Sequence, residues 1–168
     1  MTTTLILGGA RSGKSRRAQQ LAEAGGGRLV FVATAEAIDA EMADRIARHR
    51  GDRGDAWTTV EAPIDLADAV RRHAAPEAVL LIDCVTVWLG NLMHHGRDVP
   101  AAVDVLLAAL AHAPGQIIVV SNEVGLAIVP ETPLGRRFRD EAGMLNQRLA
   151  AAADRAELVV AGLVVALK

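Results

Sequence analysis

The sequence predicts an α/β fold, a largely parallel central sheet flanked by helices, and two observations carry that expectation. Short apolar runs alternate with amphipathic helical patterns along the whole chain. A glycine-rich loop also joins the first apolar run to the first helical pattern, as in a strand–loop–helix unit that approaches an anion.

The elements are expected in this order. TLILG, 4–8, is a buried strand, and the helix after the loop covers 14–24 until Gly25, Gly26 and Gly27 stop it. RLVFVAT, 28–34, is the second strand. A helix over 38–50 buries Ile38, Met42 and Ile46 at four-residue spacing, and GDRGD, 51–55, is a loop. WTTVEA, 57–62, alternates like a strand until Pro63, and 64–74 is an amphipathic helix. AVLLID, 78–83, is a central strand with an acid at its C-terminal end. Helices over 86–95 and 100–113 precede the buried strand QIIVVSN, 116–122. The segment 123–135, with two prolines and two glycines, reads as a structured loop. A long helix over 136–157 then leads to a pair of short strands around Gly162.

With 168 residues, no internal repeat and no linker, one domain over 1–168 is expected. Half the chain is apolar (51%), too much for disorder, yet no apolar run approaches the length that crosses a bilayer. The start lacks a secretory-signal pattern, so a cytoplasmic protein without membrane insertion is expected. Cys84 is the single cysteine, which excludes a disulfide framework and a cysteine-based zinc site. The net charge of −2 argues against nucleic acid as a partner.

The chemistry is concentrated in GGARSGKS, which is Gly8, Gly9, Ala10, Arg11, Ser12, Gly13, Lys14 and Ser15. It matches G-x-x-x-x-G-K-[ST], the phosphate-binding P-loop. Glycines let the backbone turn its N–H groups inward at a helix N-terminus, Lys14 reaches the terminal phosphates, and the Ser15 hydroxyl ligates magnesium. At this composition an accidental match arises in roughly one chain in a thousand. In a chain whose cations are otherwise arginines, apart from Lys168, a lysine in that loop looks like a chemical requirement. Asp83 stands where P-loop proteins place the acid that completes the Mg2+ site, although an isolated strand-end acid serves as often for a turn or cap. The guanine-reading N-K-x-D of signalling GTPases is absent, and Cys84-Val85-Thr86 after Asp83 breaks a D-x-x-G switch.

Several strings together resemble a known family. GGARSGKSRRAQQLAE, FVATAEAIDAEMADRIARHR, WTTVEAP, VLLIDCVTVWLGNLM and VVSNEVGLAIVPETPLGRRFRDEAGMLNQRLA are similar to the bifunctional adenosylcobinamide kinase/adenosylcobinamide-phosphate guanylyltransferases of cobalamin biosynthesis. The likeness covers nearly the whole chain, and its most particular part is the SNEVG…IVPE…GRRFRDEAG…NQ block; Ala127 stands where glycine is more usual. The resemblance implies a P-loop, RecA-like enzyme with two steps. In the first, ATP or GTP phosphorylates the aminopropanol hydroxyl of adenosylcobinamide. In the second, GTP places GMP on a histidine, and the phosphorylated cobinamide collects it.

By that resemblance the histidine is His49, and nucleotide contacts fall on the P-loop, on Ala33, Thr34 and Ala35, on Arg50, Gly51, Asp52 and Arg53, and on Glu61 and Asp83. It also implies a homo-oligomer, a trimer with sites near subunit boundaries. From the residues alone, His49 among Arg45, Arg48, Arg50 and Arg53 reads two ways. A neutral imidazole amid guanidinium groups is a competent nucleophile toward phosphorus, but a solvated histidine near a helix C-terminus is the more ordinary reading, and only the resemblance reverses it. Glu61 alone reads as a strand-end charge, and His73, His94, His95 and His112 have no partners at metal-ligand spacing. Two rival functions share the P-loop: a kinase of another small molecule without a GMP intermediate, and a RecA-like ATPase acting as an assembly module.

Overall fold

The computed structural model describes residues 2–36 and 56–168. Among the described residues, seven strands form one sheet in the order β3-β2-β4-β5-β1-β6-β7. They are β1 (Thr2–Gly8), β2 (Arg28–Ala33), β3 (Trp57–Glu61), β4 (Ala78–Asp83), β5 (Gln116–Asn122), β6 (Arg155–Val160) and β7 (Leu163–Ala166). Every pairing is parallel except that of β6 with β7, where the turn at Gly162 reverses the chain. The described helices are α1 (Lys14–Gly25), α2 (Leu66–His73), α3 (Val85–His94), α4 (Val99–His112) and α5 (Pro133–Ala152). None of them is long and apolar enough to cross a membrane.

The central strands are apolar on both faces because both are covered, as parallel sheets require. Leu80, Ile82, Ile117 and Val119 pack on one side with Leu66 and Val70 of α2, Trp88 and Leu89 of α3, Leu106 of α4 and Leu145 and Leu149 of α5. Phe31, Leu81, Ile118 and Val120 face the opposite way, against Ala18 and Ala22 of α1. Consecutive strand residues therefore alternate between an α1 face and an α2–α5 face. This parity decides which strand-end side chains reach the glycine-rich loop.

The strand 78–83 and the strand 116–122 lie where the sequence predicts them; the expected helix over 38–50 and loop over 51–55 fall outside the described residues. Two boundaries differ for identifiable reasons. The last helix begins at Pro133, not 136, because the Thr132 hydroxyl caps it by accepting from the Gly135 N–H at 3.1 Å, with proline at the first helical position. It ends at Ala152, not 157, because Asp154 is held against the β1 edge: its carboxylate accepts from Thr3 N–H at 2.7 Å and its own N–H donates to Thr3 O at 2.9 Å. The following residues then pair with β1 as β6, Arg155 opposite Thr4.

Helix α1 is pinned to that added strand by Arg17, whose Nε and guanidinium NH2 each donate to Glu157 at 2.8 Å. The side chains are 31% and 14% exposed, so solvent screens the pair only partly. The hydrogen bond and charge of Arg17 hold the Glu157 carboxyl below its ordinary value. A carboxyl with a depressed folded-state pKa stabilises the fold above its unfolded value, and the contribution disappears as pH falls through the folded value. Glu157→Gln should therefore lower stability by about 1.5 kcal/mol at pH 7. The deficit should shrink as acid melts move below the ordinary carboxylate value of 4.5. Thermal melts of both proteins across that range check the convergence.

Candidate nucleotide site

The glycine-rich loop leaves β1 at Gly8 and folds back over its own start. A Cβ on Gly8 would stand 2.4 Å from Ser12 Oγ and 2.7 Å from the Val159 carbonyl, so only glycine fits. Arg11 and Gly13 take left-handed backbone, with φ of 54° and 99°. These reversals wrap the chain so that α1 begins at Lys14. Gly13 at the N-cap supplies no side-chain acceptor, leaving the first-turn N–H groups of α1 for an anion. The Lys14 ammonium reaches back across the loop and donates to the Gly9 carbonyl at 3.2 Å. From outside, Gly162 N–H donates to Ser12 O at 2.8 Å, and Glu123 N–H donates to Gly8 O at 3.0 Å. The turn between β6 and β7 and the end of β5 thus brace the loop.

The neighbouring strands end in a row beside it. Ala33 on β2 pairs with Glu61 on β3 and with Asp83 on β4. Asp83 shares the parity of Val79 and Leu81, and Glu61 that of Trp57, which places both on the α1 face. Of the residues expected at the nucleotide, Gly8–Ser15, Ala33, Glu61 and Asp83 therefore line one edge of the sheet on one face.

Thr34 is different. It is fully buried, and its hydroxyl donates to Cys84 O at 2.8 Å and accepts from Cys84 N–H at 3.0 Å. Its carbonyl accepts from Asn91 Nδ2 at 2.7 Å. The Thr34 side chain thus fastens β2 to the chain just after Asp83, while Ala33 before it and Ala35 after it are half-buried. Burial and the Asp83 charge push the Cys84 thiol pKa up, so it stays protonated and unreactive. His49, Arg50, Gly51, Asp52 and Arg53 lie outside the described residues.

Magnesium fits this edge on its donor chemistry. Ser15 offers a hydroxyl in the first turn of α1 and Asp83 a carboxylate at the end of β4, both hard oxygen donors. No described group of three or more His, Cys, Asp or Glu side chains can hold a metal alone. A cation here would complete its shell with phosphate oxygens and water, as magnesium does. Two buried polar atoms at the same edge, Ser12 Oγ and Asn122 Oδ1, have no protein partner.

Sequence reasoning passed over a polar cluster under this edge. Ser121 Oγ donates to Asn146 Oδ1 at 2.5 Å and lies 3.1 Å from Thr86 Oγ1. Asn122 N–H donates to Thr86 Oγ1 at 2.7 Å, and Asn122 O accepts from Asn146 Nδ2 at 3.1 Å. The available signal was a Ser-Asn pair closing an otherwise apolar strand.

The comparisons with known proteins agree with this geometry. The family pattern described as cobinamide kinase / cobinamide phosphate guanyltransferase matches residues 4–167. A Pseudomonas aeruginosa protein named bifunctional adenosylcobalamin biosynthesis protein CobP is 48% identical over 168 residues, covering 98% of this chain and 96% of the relative. An Escherichia coli protein named bifunctional adenosylcobalamin biosynthesis protein CobU is 40% identical, covering 98% of each. Among solved structures, the flagellar accessory protein FlaH from Methanocaldococcus jannaschii aligns with TM-score 0.54 at 14% identity, over 99% of this chain and 78% of that one. PH0250 from Pyrococcus horikoshii OT3 aligns with TM-score 0.56 at 10% identity, over 99% and 86%. The structural likenesses bear on fold alone, and the fold is the P-loop, RecA-like α/β class expected from the sequence. The chain belongs to the cobinamide kinase / cobinamide phosphate guanyltransferase family, a family of bifunctional enzymes.

Proposed function

We propose that this single domain, residues 1–168, performs both family reactions at the C-terminal edge of its sheet, with magnesium and ATP or GTP. In the kinase step the aminopropanol hydroxyl oxygen of adenosylcobinamide attacks the γ-phosphorus. The bond to the β–γ bridging oxygen breaks, and the nucleoside diphosphate leaves. Backbone N–H groups of Gly8–Ser15 and the Lys14 ammonium hold the charge that shifts onto the β-phosphate, while bound magnesium would neutralise phosphate oxygens between Ser15 and Asp83. Glu61, in one row with Ala33 and Asp83, accepts a hydrogen bond from the nucleoside end.

In the guanylyl step a ring nitrogen of neutral His49 attacks the α-phosphorus of GTP, and pyrophosphate leaves. A phosphate oxygen of the phosphorylated cobinamide then attacks that phosphorus, the P–N bond breaks, and adenosyl-GDP-cobinamide forms. Arg45, Arg48, Arg50 and Arg53 lie near His49 in the chain and stabilise charge on the α-phosphate. The protein acts in the cytoplasm as a homo-oligomer, a trimer, on small molecules and not on nucleic acid.

The observation that supports this reading best is the inward-turned loop with Lys14 folded across it, in a chain with the family's pattern along its length. Incubation with adenosylcobinamide, GTP and magnesium tests it. Mass spectrometry should find the phosphorylated cobinamide first and its GDP adduct after it. A kinase of another molecule would leave the corrinoid unmodified, and an ATPase module would hydrolyse nucleotide without any corrinoid product.

A further inference from the structure

Asn122 closes β5, the strand that separates β1, which carries the P-loop, from β4, which ends in Asp83. In register it stands opposite Gly8 on β1, while Asp83 stands opposite Val120, two residues back along β5. Its parity is that of Val120, which packs toward α1, so the carboxamide leaves the sheet on the face of Lys14 and Asp83. Its backbone is clamped from both sides, by Thr86 of α3 and Asn146 of α5. The direction of the side chain is thus set by the frame.

That carboxamide is nonetheless incomplete. Its Oδ1 is buried and has no hydrogen-bond partner, a condition that folded proteins rarely leave uncorrected. The other such atom among the described residues, Ser12 Oγ, belongs to the P-loop itself. Two orphaned polar atoms at one edge mark a place completed by a ligand. The missing partner of Oδ1 must be a donor, and phosphate oxygens at neutral pH are acceptors only. Lys14 gives one of its three ammonium donors to Gly9 O and directs the others toward phosphate in a P-loop, a contact that would not depend on metal. The donor chemistry that a magnesium–triphosphate itself brings is a metal-bound water, because magnesium keeps several waters when protein and phosphate oxygens supply the rest of its shell.

We propose that Asn122 is a positioning residue of the phosphate site, its carboxamide oxygen accepting a hydrogen bond from a water in the magnesium shell of the bound nucleotide. The inference rests on the reading of this edge as a magnesium–triphosphate site. It assigns to β5 the job of fixing the shell from between the P-loop strand and the Asp83 strand.

Equilibrium titrations with GTP, in magnesium and in EDTA, separate this contact from a structural one. Wild type should bind more tightly in magnesium. Asn122→Ala should lose about 10-fold in magnesium and stay within about 2-fold of wild type in EDTA. Its ligand-free melting temperature should not fall by more than about 2 °C, because the lost oxygen bonds nothing in the free protein. Asn122→Asp, which keeps an acceptor oxygen in the same place, should restore the magnesium response. Equal losses for Asn122→Ala in magnesium and EDTA would overturn the inference, since a contact to Lys14 or to the fold is independent of metal. A failed rescue by Asn122→Asp would also overturn it, by placing the amide nitrogen at a phosphate. An Asn122→Ala protein that matches wild type in magnesium refutes it outright. Should wild type itself not distinguish magnesium from EDTA, the metal-site reading fails first and the inference with it.

Discussion

Lys14→Ala should lower the rate of phosphoryl transfer by about 10³-fold while leaving the fold intact. On the proposed mechanism the loop's backbone donors supply partial charges, whereas Lys14 would bring a full positive charge to the terminal phosphates, where negative charge moves as the β–γ bond breaks. No second lysine replaces it. The other lysine, Lys168, is at the far end of α5, where its ammonium donates to the carbonyls of Ala150, Ala151 and Ala153 at 3.3, 3.2 and 2.6 Å. Alanine is the best helix former at the first position of α1, so the melting temperature should hold. Lys14→Arg should not rescue the rate, because a planar guanidinium cannot fold back to Gly9 O within the same space as a compact ammonium. Single-turnover transfer from γ-labelled nucleotide measures the effect. A loss of less than tenfold would contradict the role assigned to this side chain.

His49→Ala should abolish covalent labelling from α-labelled GTP altogether. A phosphoramidate needs a nucleophilic ring nitrogen, and an alanine leaves none at that position. The label on wild type should be labile to acid and stable to base, the behaviour of a P–N bond. In the proposed mechanism, transfer of the γ-phosphate to the cobinamide hydroxyl does not pass through His49, so it should persist in the same variant. That split between two activities separates loss of the nucleophile from general damage, which would lower both. Label that survives in His49→Ala would move the guanylyl group to another residue.

The P-loop was legible because its constraints are local. Gly8 must be glycine where Ser12 Oγ and the Val159 carbonyl close over it, and Gly13 must tolerate φ of 99°. Such demands leave their mark in a run of eight residues. The strands β4 and β5 were legible for a related reason: burial on both faces produces apolar runs that no surface element shares. The ends of α5 were not, although Thr132-Pro133 carried a cap signature that the proline-rich context obscured. Its C-terminal boundary depends on Asp154 bonding to Thr3, about 150 residues away in the chain, and no local pattern announces such a contact.

The same distinction divides the site. Asp83 and Glu61 could be placed at strand ends by inspection, and the parallel register then set them in one row with Ala33. Asn122, Thr86 and Asn146 were invisible as a group, because they come from three elements and meet only after the sheet has formed. Thr34 shows a further limit: Ala33 before it lies on the face of the site, yet the Thr34 hydroxyl serves Cys84. His49 rests on family resemblance, since an arginine-flanked histidine is ordinary on any helix end.

The central claim is that the edge formed by Gly8–Ser15 and Asp83 holds a magnesium–triphosphate. Calorimetric titration of the purified chain with GTP in magnesium tests it most directly. The account predicts saturable binding of one nucleotide per phosphate cradle, lost in Lys14→Ala and weakened when magnesium is removed. Absence of any saturable heat with GTP or ATP, or binding that Lys14→Ala leaves unchanged, would contradict it.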